Sequence, residues 1–205
     1  MLLLSMSKGL KTKELILKEA FAKAGEVGLS GLTIGDLSST LGMSKSGLFA
    51  HFQSKENLEV AVLDWTRAKF ARTVLGPALK HPRGEPRLRA FFDNWITWIE
   101  TETIGKGGCL IVGASIEYDD RPGVVRDSLL SLHQELQNSI TRMVHACIEE
   151  GHFSAEVDPE QFAFELYSLI LGFHHFSRML GDEKSLQRLR QSFETLMKHG
   201  KTYEQ

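Results

Sequence analysis

Residues 33–55, Thr-Ile-Gly-Asp-Leu-Ser-Ser-Thr-Leu-Gly-Met-Ser-Lys-Ser-Gly-Leu-Phe-Ala-His-Phe-Gln-Ser-Lys, constrain this chain more than any other stretch. They read as two short helices around a tight turn, followed by the start of a third. Thr33 precedes Ile34 with Asp36 three residues later, a variant of the capping box. Gly42 follows Leu41 and suits the left-handed conformation that ends a helix. Ser44 is placed to cap the second helix and Ser54 the next. Ile34, Leu37, Leu41, Leu48 and Phe52 supply the apolar contacts that fix both helices against a first one. Capped helices joined by a three-residue turn form a helix-turn-helix, the arrangement that lays its second helix in the major groove of duplex DNA.

The second helix of the unit leaves Lys45, Ser46, Gly47, Phe49, Ala50 and His51 for the solvent side. Lys45 and Ser46 fall in its first turn, the part that meets base edges in this motif. Lysine suits guanine acceptors and serine suits several bases. Gly47 carries no side chain, which lets a backbone approach closely. Thr33, Ser44 and Lys55 stand at helix N-termini, where hydroxyl, ammonium and backbone N–H groups suit phosphate. Charge agrees with this placement. Residues 1–55 carry a balance of +3 and the remainder −5, which make the net −2. A small basic head on a larger acidic body fits a nucleic-acid module carried by a second domain.

Proline and glycine divide the rest of the chain. Gly25, Gly28 and Gly31 close a first helix that runs from about Lys11. A longer helix from Asn57 to about Leu75 is stopped or kinked by Gly76-Pro77. An aromatic-rich helix over roughly 86–103 ends at Gly105-Lys-Gly-Gly108, and a small-residue helix runs from Cys109 to about Tyr118. Asp120 or Arg121 precedes Pro122 as the start of a helix reaching about Glu150. Asp158-Pro159 opens another that reaches about Leu180, and the last covers roughly 183–199. No stretch alternates as a strand does. The expectation is an all-α fold of about nine helices, with a DNA-binding domain over 1–56 and a ligand-binding and dimerisation domain over 57–205.

Residues 11–63 resemble the N-terminal domain of the TetR family of bacterial transcriptional regulators. The matching pieces are Ile16…Ala20-Phe21…Gly25, Leu32-Thr33-Ile34…Leu37, Leu41-Gly42-Met43-Ser44, Gly47-Leu48-Phe49-Ala50-His51-Phe52 and Ser54-Lys55-Glu56-Asn57-Leu58. The resemblance implies a homodimer that binds a two-fold operator and releases it when a small ligand enters the C-terminal domain. His51 matches the family and is implied to meet a phosphate. Phe49 stands where the family usually has a tyrosine whose hydroxyl commonly meets a phosphate, so that contact is in doubt here. The stretch Gly107-Gly-Cys-Leu-Ile…Glu117-Tyr-Asp-Asp-Arg-Pro-Gly-Val-Val-Arg-Asp127 resembles the C-terminal domain of one subgroup, which implies a fold variant and no particular ligand.

In that domain Trp65, Phe92, Trp95, Trp98, Cys109 and Phe173 are candidates to line an apolar cavity between helices. The alternative for each is plain core. The helix at 159–180 is apolar nearly all round and must be covered on every side. With the final helix it offers Phe162, Leu166, Leu169, Ile170, Phe173, Leu189 and Phe193 for a four-helix interface across a two-fold axis, or for full burial within one subunit. His174 and His175 point about 100° apart on a helix, so with Cys109 or His133 they do not make an easy metal site, and no metal or other cofactor is expected. Two cysteines without a CxxC pair fit a reducing compartment, and with no leader or membrane span in view the expected location is the cytoplasm.

The expected activity is ligand-responsive transcriptional regulation, read as repression, with operator DNA, a second copy of the chain and a small hydrophobic effector as partners. Two other classes stand beside it. A helical enzyme or carrier would need a nucleophile–base pair or carboxylate dyad, and none occurs at a recognisable spacing. A sequence-indifferent DNA coat would need many phosphate contacts, and the basic charge is modest.

Overall fold

The computed structural model describes residues 8–103 and 108–201, and every described element is helical. Nine α-helices follow in order: α1 (Lys8–Val27), α2 (Ile34–Leu41), α3 (Lys45–Phe52), α4 (Lys55–Phe70), α5 (Glu85–Trp98), α6 (Leu110–Tyr118), α7 (Val124–Glu149), α8 (Pro159–Arg178) and α9 (Ser185–Lys201). Contacts gather the chain into two units. Among the described residues, the first holds those up to 69 together with 103 and 108–129, the second 70–102 and those from 130 onward, a grouping that cuts across chain order.

In the first unit, α1 packs against α2 and α6, and α2 against α3. The reason is patterning. α1 buries Ile16, Leu17, Ala20 and Ala24 along one side, and Leu37, Leu48, Phe52 and Leu58 are buried on the helices that follow. Gly25 sits inside α1, and the helix ends only where Gly28 turns left-handed at φ +81°. Each short helix of the head is closed by its own chemistry. The Thr33 hydroxyl accepts from the N–H of Asp36 at 3.0 Å, that of Ser44 from Gly47 at 3.1 Å and that of Ser54 from Asn57 at 3.0 Å. Gly42 at φ +63° sends its N–H back to the carbonyls of Ser38 and Ser39. Gln53 ends α3 in the same left-handed region, at φ +66°.

In the second unit α4 gives way to a single π turn at Ala71–Leu75, and the helix carries on through Gly76–Ala78. Gly76-Pro77 therefore lies inside the helix, which runs on to Ala78. The widened turn spaces the carbonyls so that Gly76 N–H bonds Ala71 O, and proline takes a first-turn place where its missing N–H costs little. This stretch packs on α5, and α8 packs on α9. Leu88, Phe91, Phe92, Ile96, Leu166 and Phe193 are among the side chains buried there. The helix expected to begin at Pro122 begins at Val124. Gly123, at φ +142°, bends the chain first, and its carbonyl takes the Asp127 N–H. The helix start at Asp158 is as expected, its carboxylate accepting from the N–H groups of Glu160 and Gln161.

Candidate nucleic-acid interface

The motif of 33–55 folds so that Leu48 and Phe52 of α3 are buried while Lys45, Ser46, Phe49 and Ala50 are exposed and Gly47 and His51 are half-buried. Ser44 spends its hydroxyl on the helix end and lies 3.3 Å from the Ser46 hydroxyl. A β-carbon at Gly47 would stand 3.0 Å from that same Ser44 oxygen, so glycine lets the cap close. Thr33 is likewise engaged at home, donating to the Asp36 carboxylate at 2.6 Å. Their unused lone pairs and the free N–H groups of the first helical turns are what remains for an approaching phosphate.

Lys55 has a second occupation. Its ammonium donates to the carbonyl of Ser30 and lies 3.6 Å from the Glu59 carboxylate. Glu59 is 3% exposed, an acid on the buried face of α4, and the Tyr118 hydroxyl donates to it at 2.9 Å. Burial raises the Glu59 pKa, against the lowering pull of Tyr118 and Lys55. Burial and the same contact push the Tyr118 hydroxyl up. One residue earlier, Glu117 accepts from the backbone N–H of Leu29 at 3.2 Å and of Ser30 at 2.8 Å. The end of α6 thus holds the α1–α2 loop of the head through Glu117 and α4 through Tyr118. Ser30, Lys55, Glu59 and Tyr118 line a hollow of about 490 Å³ bordered also by Arg121 and Arg126.

None of Glu59, Glu117 or Tyr118 was assigned a role from sequence. The one available signal was Glu59 itself, a charge sharing a helical face with Leu58, Val62 and Leu63.

The aromatic candidates fall into several environments. In the first unit Trp65 packs on Phe21 at 5.2 Å, with the Lys69 ammonium 5.2 Å from each ring. Cys109 stands at the N-terminus of α6, where burial pushes its thiol up despite N–H groups from Val112 and Ile111. That is the opposite of an activated thiolate. In the second unit Trp95 and Trp98 both meet the Phe70 ring edge-on at 5.6 Å. Phe92 lies apart from that group, stacked on Phe193 at 3.7 Å. Beside the tryptophans the Tyr167 hydroxyl pairs with His133 Nδ1 at 3.0 Å, and the Tyr167 ring stacks toward Trp95 at 6.5 Å. Burial lowers the pKa of His133 and of His174, and His174 Nε2 is buried with no hydrogen-bond partner. Among the described residues no three metal-ligating side chains gather.

Of the residues offered for dimerisation, Phe162, Leu166, Ile170, Phe173, Leu189 and Phe193 are buried within the single chain, while Leu169 is half-buried. The surface α8 leaves open carries Phe164, Leu171, Phe176 and Met179, beside a groove of about 190 Å³ that Phe176 and Arg188 help to line. No described helix is long and apolar enough to cross a membrane.

Two family profiles match. One, described as bacterial regulatory proteins of the tetR family, covers residues 16–62, and the other, described as tetracyclin repressor-like, C-terminal domain, covers residues 84–193. A curated relative from Mycobacterium sp. (strain GP1), the HTH-type transcriptional repressor DhaR, is 27% identical over 140 residues, 67% of this chain and 68% of its own. A TetR transcriptional regulator from Chloroflexus aurantiacus J-10-FL superposes with a TM-score of 0.82 at 26% identity, covering 95% of this chain and 96% of its own. AibR, solved in complex with isovaleryl coenzyme A and operator DNA, shares the fold with a TM-score of 0.72 at 21% identity, covering 90% of this chain and 97% of its own.

Proposed function

The chain belongs to the TetR family of bacterial transcriptional regulators, and from that premise we propose that it works as a homodimeric repressor released from a two-fold operator by a small, largely apolar effector. The observation that carries the reading is the head. Three capped helices present Lys45, Ser46, Phe49 and Ala50 on one open helix face, the arrangement a major groove accepts. Ser44, Gly47, Thr33, Lys55 and His51 border that face and serve as its backbone-contacting set. Two such heads read two half-sites roughly 34–36 Å apart, so a second copy of the chain is part of the function. The open face of α8, with Phe164, Leu171, Phe176 and Met179, is the surface that copy covers.

Effector control is supported by chemistry in the C-terminal segment. Trp95, Trp98 and Phe70 form an aromatic group beside the neutral pair Tyr167–His133, an environment for an uncharged, flat or branched molecule. Glu117 and Tyr118 lie within the segment matched as the family's C-terminal domain, and both hold the head. A shift of α6 therefore pulls directly on the α1–α2 loop and on α4. The curated relative's description as a repressor supports the sign of regulation. On this reading the chain is a binding protein of the cytoplasm and performs no catalysis of its own.

The test is to capture fragments of the source genome on the full-length protein and confirm them by gel shift. A recovered inverted repeat, bound with a stoichiometry of two chains and protected against a large excess of random DNA, is the expected result. Binding of all fragments alike would overturn it.

A further inference from the structure

We infer that Phe49 reads a thymine in each operator half-site through the base's C5 methyl group, an inference that rests on the DNA-binding role of the head. Phe49 is 50% exposed on α3, an open position for a side chain of its size, while its neighbours Leu48 and Phe52 are buried. At about 100° per residue it stands about 40° from Lys45 and about 60° from Ser46, so it lies between the two first-turn side chains and shares their face. Ala50, also exposed, extends the same apolar strip.

A phenyl ring has no donor or acceptor. It cannot take the phosphate hydrogen bond that a tyrosine hydroxyl at this position would make, and left against water it gains nothing. In the major groove adenine, guanine and cytosine are distinguished by their polar atoms, and the one protruding apolar group is the thymine methyl. The strip of Phe49 and Ala50 is the complement of that group. Lys45 and Phe49 lie four residues apart, about 6 Å along the helix axis, against about 3.4 Å between successive base pairs. The thymine therefore sits within about two base-pair steps of the base that Lys45 contacts.

The closing experiment changes one methyl group and nothing else. Using the operator recovered from the genome, deoxyuridine replaces thymidine one position at a time in one half-site, and gel shifts are run with the wild-type protein, Phe49→Ala and Phe49→Tyr. At one position near the Lys45 base, the wild type is expected to lose about fourfold in affinity, the worth of one buried methyl group. Phe49→Ala should bind the thymine and uracil operators alike at that position, and Phe49→Tyr, which keeps the ring, should retain the difference. Thermal melts matching the wild type keep the comparison clean, since the position is exposed. If uracil is tolerated everywhere, or if its penalty persists in Phe49→Ala, the inference falls while a normal operator shift leaves the regulator reading standing. If no fragment is ever shifted, both fall.

Discussion

The Glu117 carboxylate stands where any residue but glycine at position 28 would place its β-carbon, 2.5 Å from Oε1. Gly28 also sits at φ +81°, so it both turns the chain out of α1 and leaves room for the carboxylate to reach the N–H groups of Leu29 and Ser30. Gly28→Ala should destabilise the protein by about 1–3 kcal/mol, through strain and through displacement of a charged acceptor. Combining it with Glu117→Ala should cost clearly less than the sum of the two single changes, measured by urea denaturation as a double-mutant cycle. Strict additivity would show that the two residues do not act on each other.

Glu59→Gln probes the neighbouring contact. A carboxyl whose pKa is raised in the fold holds its proton more tightly there than in the unfolded chain. It therefore supports the fold below the ordinary carboxyl range and withdraws that support as the pH climbs through its folded pKa. The amide keeps the Tyr118 hydrogen bond without the buried charge. The variant should gain on the wild type between pH 4 and pH 7 in urea midpoint, and a gap that narrows over that interval would contradict the buried-charge account.

Lys45 and Lys55 should separate in their effects on DNA. Lys45 is exposed on the groove face of α3, and Lys45→Ala should cost about 1–3 kcal/mol at the cognate operator and relax the preference for it over altered sites. Lys55 is tied to Ser30 and Glu59, so Lys55→Ala should weaken all duplexes alike and lower the melting temperature as well. Gel shifts on cognate and mutated operators, paired with thermal melts, check both.

His174 offers a rarer outcome, a stabilising substitution. Its buried Nε2 has no hydrogen-bond partner, and such an atom costs about 1–3 kcal/mol. His174→Leu should raise the melting temperature in calorimetry. A fall instead would mean that the imidazole contributes packing or a bond the leucine cannot supply.

The dimer proposal predicts that Leu171→Asp shifts sedimentation from two chains to one. Leu171 lies on the open face of α8, so the folded content of each chain should be retained. Unchanged dimer mass would move the interface elsewhere.

What the sequence made legible was local. Caps at Thr33, Ser44 and Ser54 depend on residues three positions away, and the left-handed Gly42 on its own missing side chain, so all are readable in order along the chain. The grip of Glu117 on Leu29 joins positions 88 apart and leaves no local trace. The contact of Lys55 with Ser30 joins positions 25 apart and is equally hidden in the sequence. The apolar surround of α8 announced that it would be covered, but periodicity could not say that α9 takes the Phe162–Phe173 side and leaves Phe164 and Leu171 open. Helix limits failed where glycine outweighed proline: Gly123 delays α7 past Pro122, while Gly76-Pro77 is carried through by a wider turn.

That wider turn has a genetic consequence. At Ala71–Leu75 the chain spends one residue more than an α-helix needs for the same advance. Loss of a single codon there would leave a regular helix. The flanking turns would keep their register, so Phe70 would stay on the face that meets Trp95 and Trp98. The surplus residue therefore marks a place where the chain can shorten by one position while the aromatic group beside it keeps its packing.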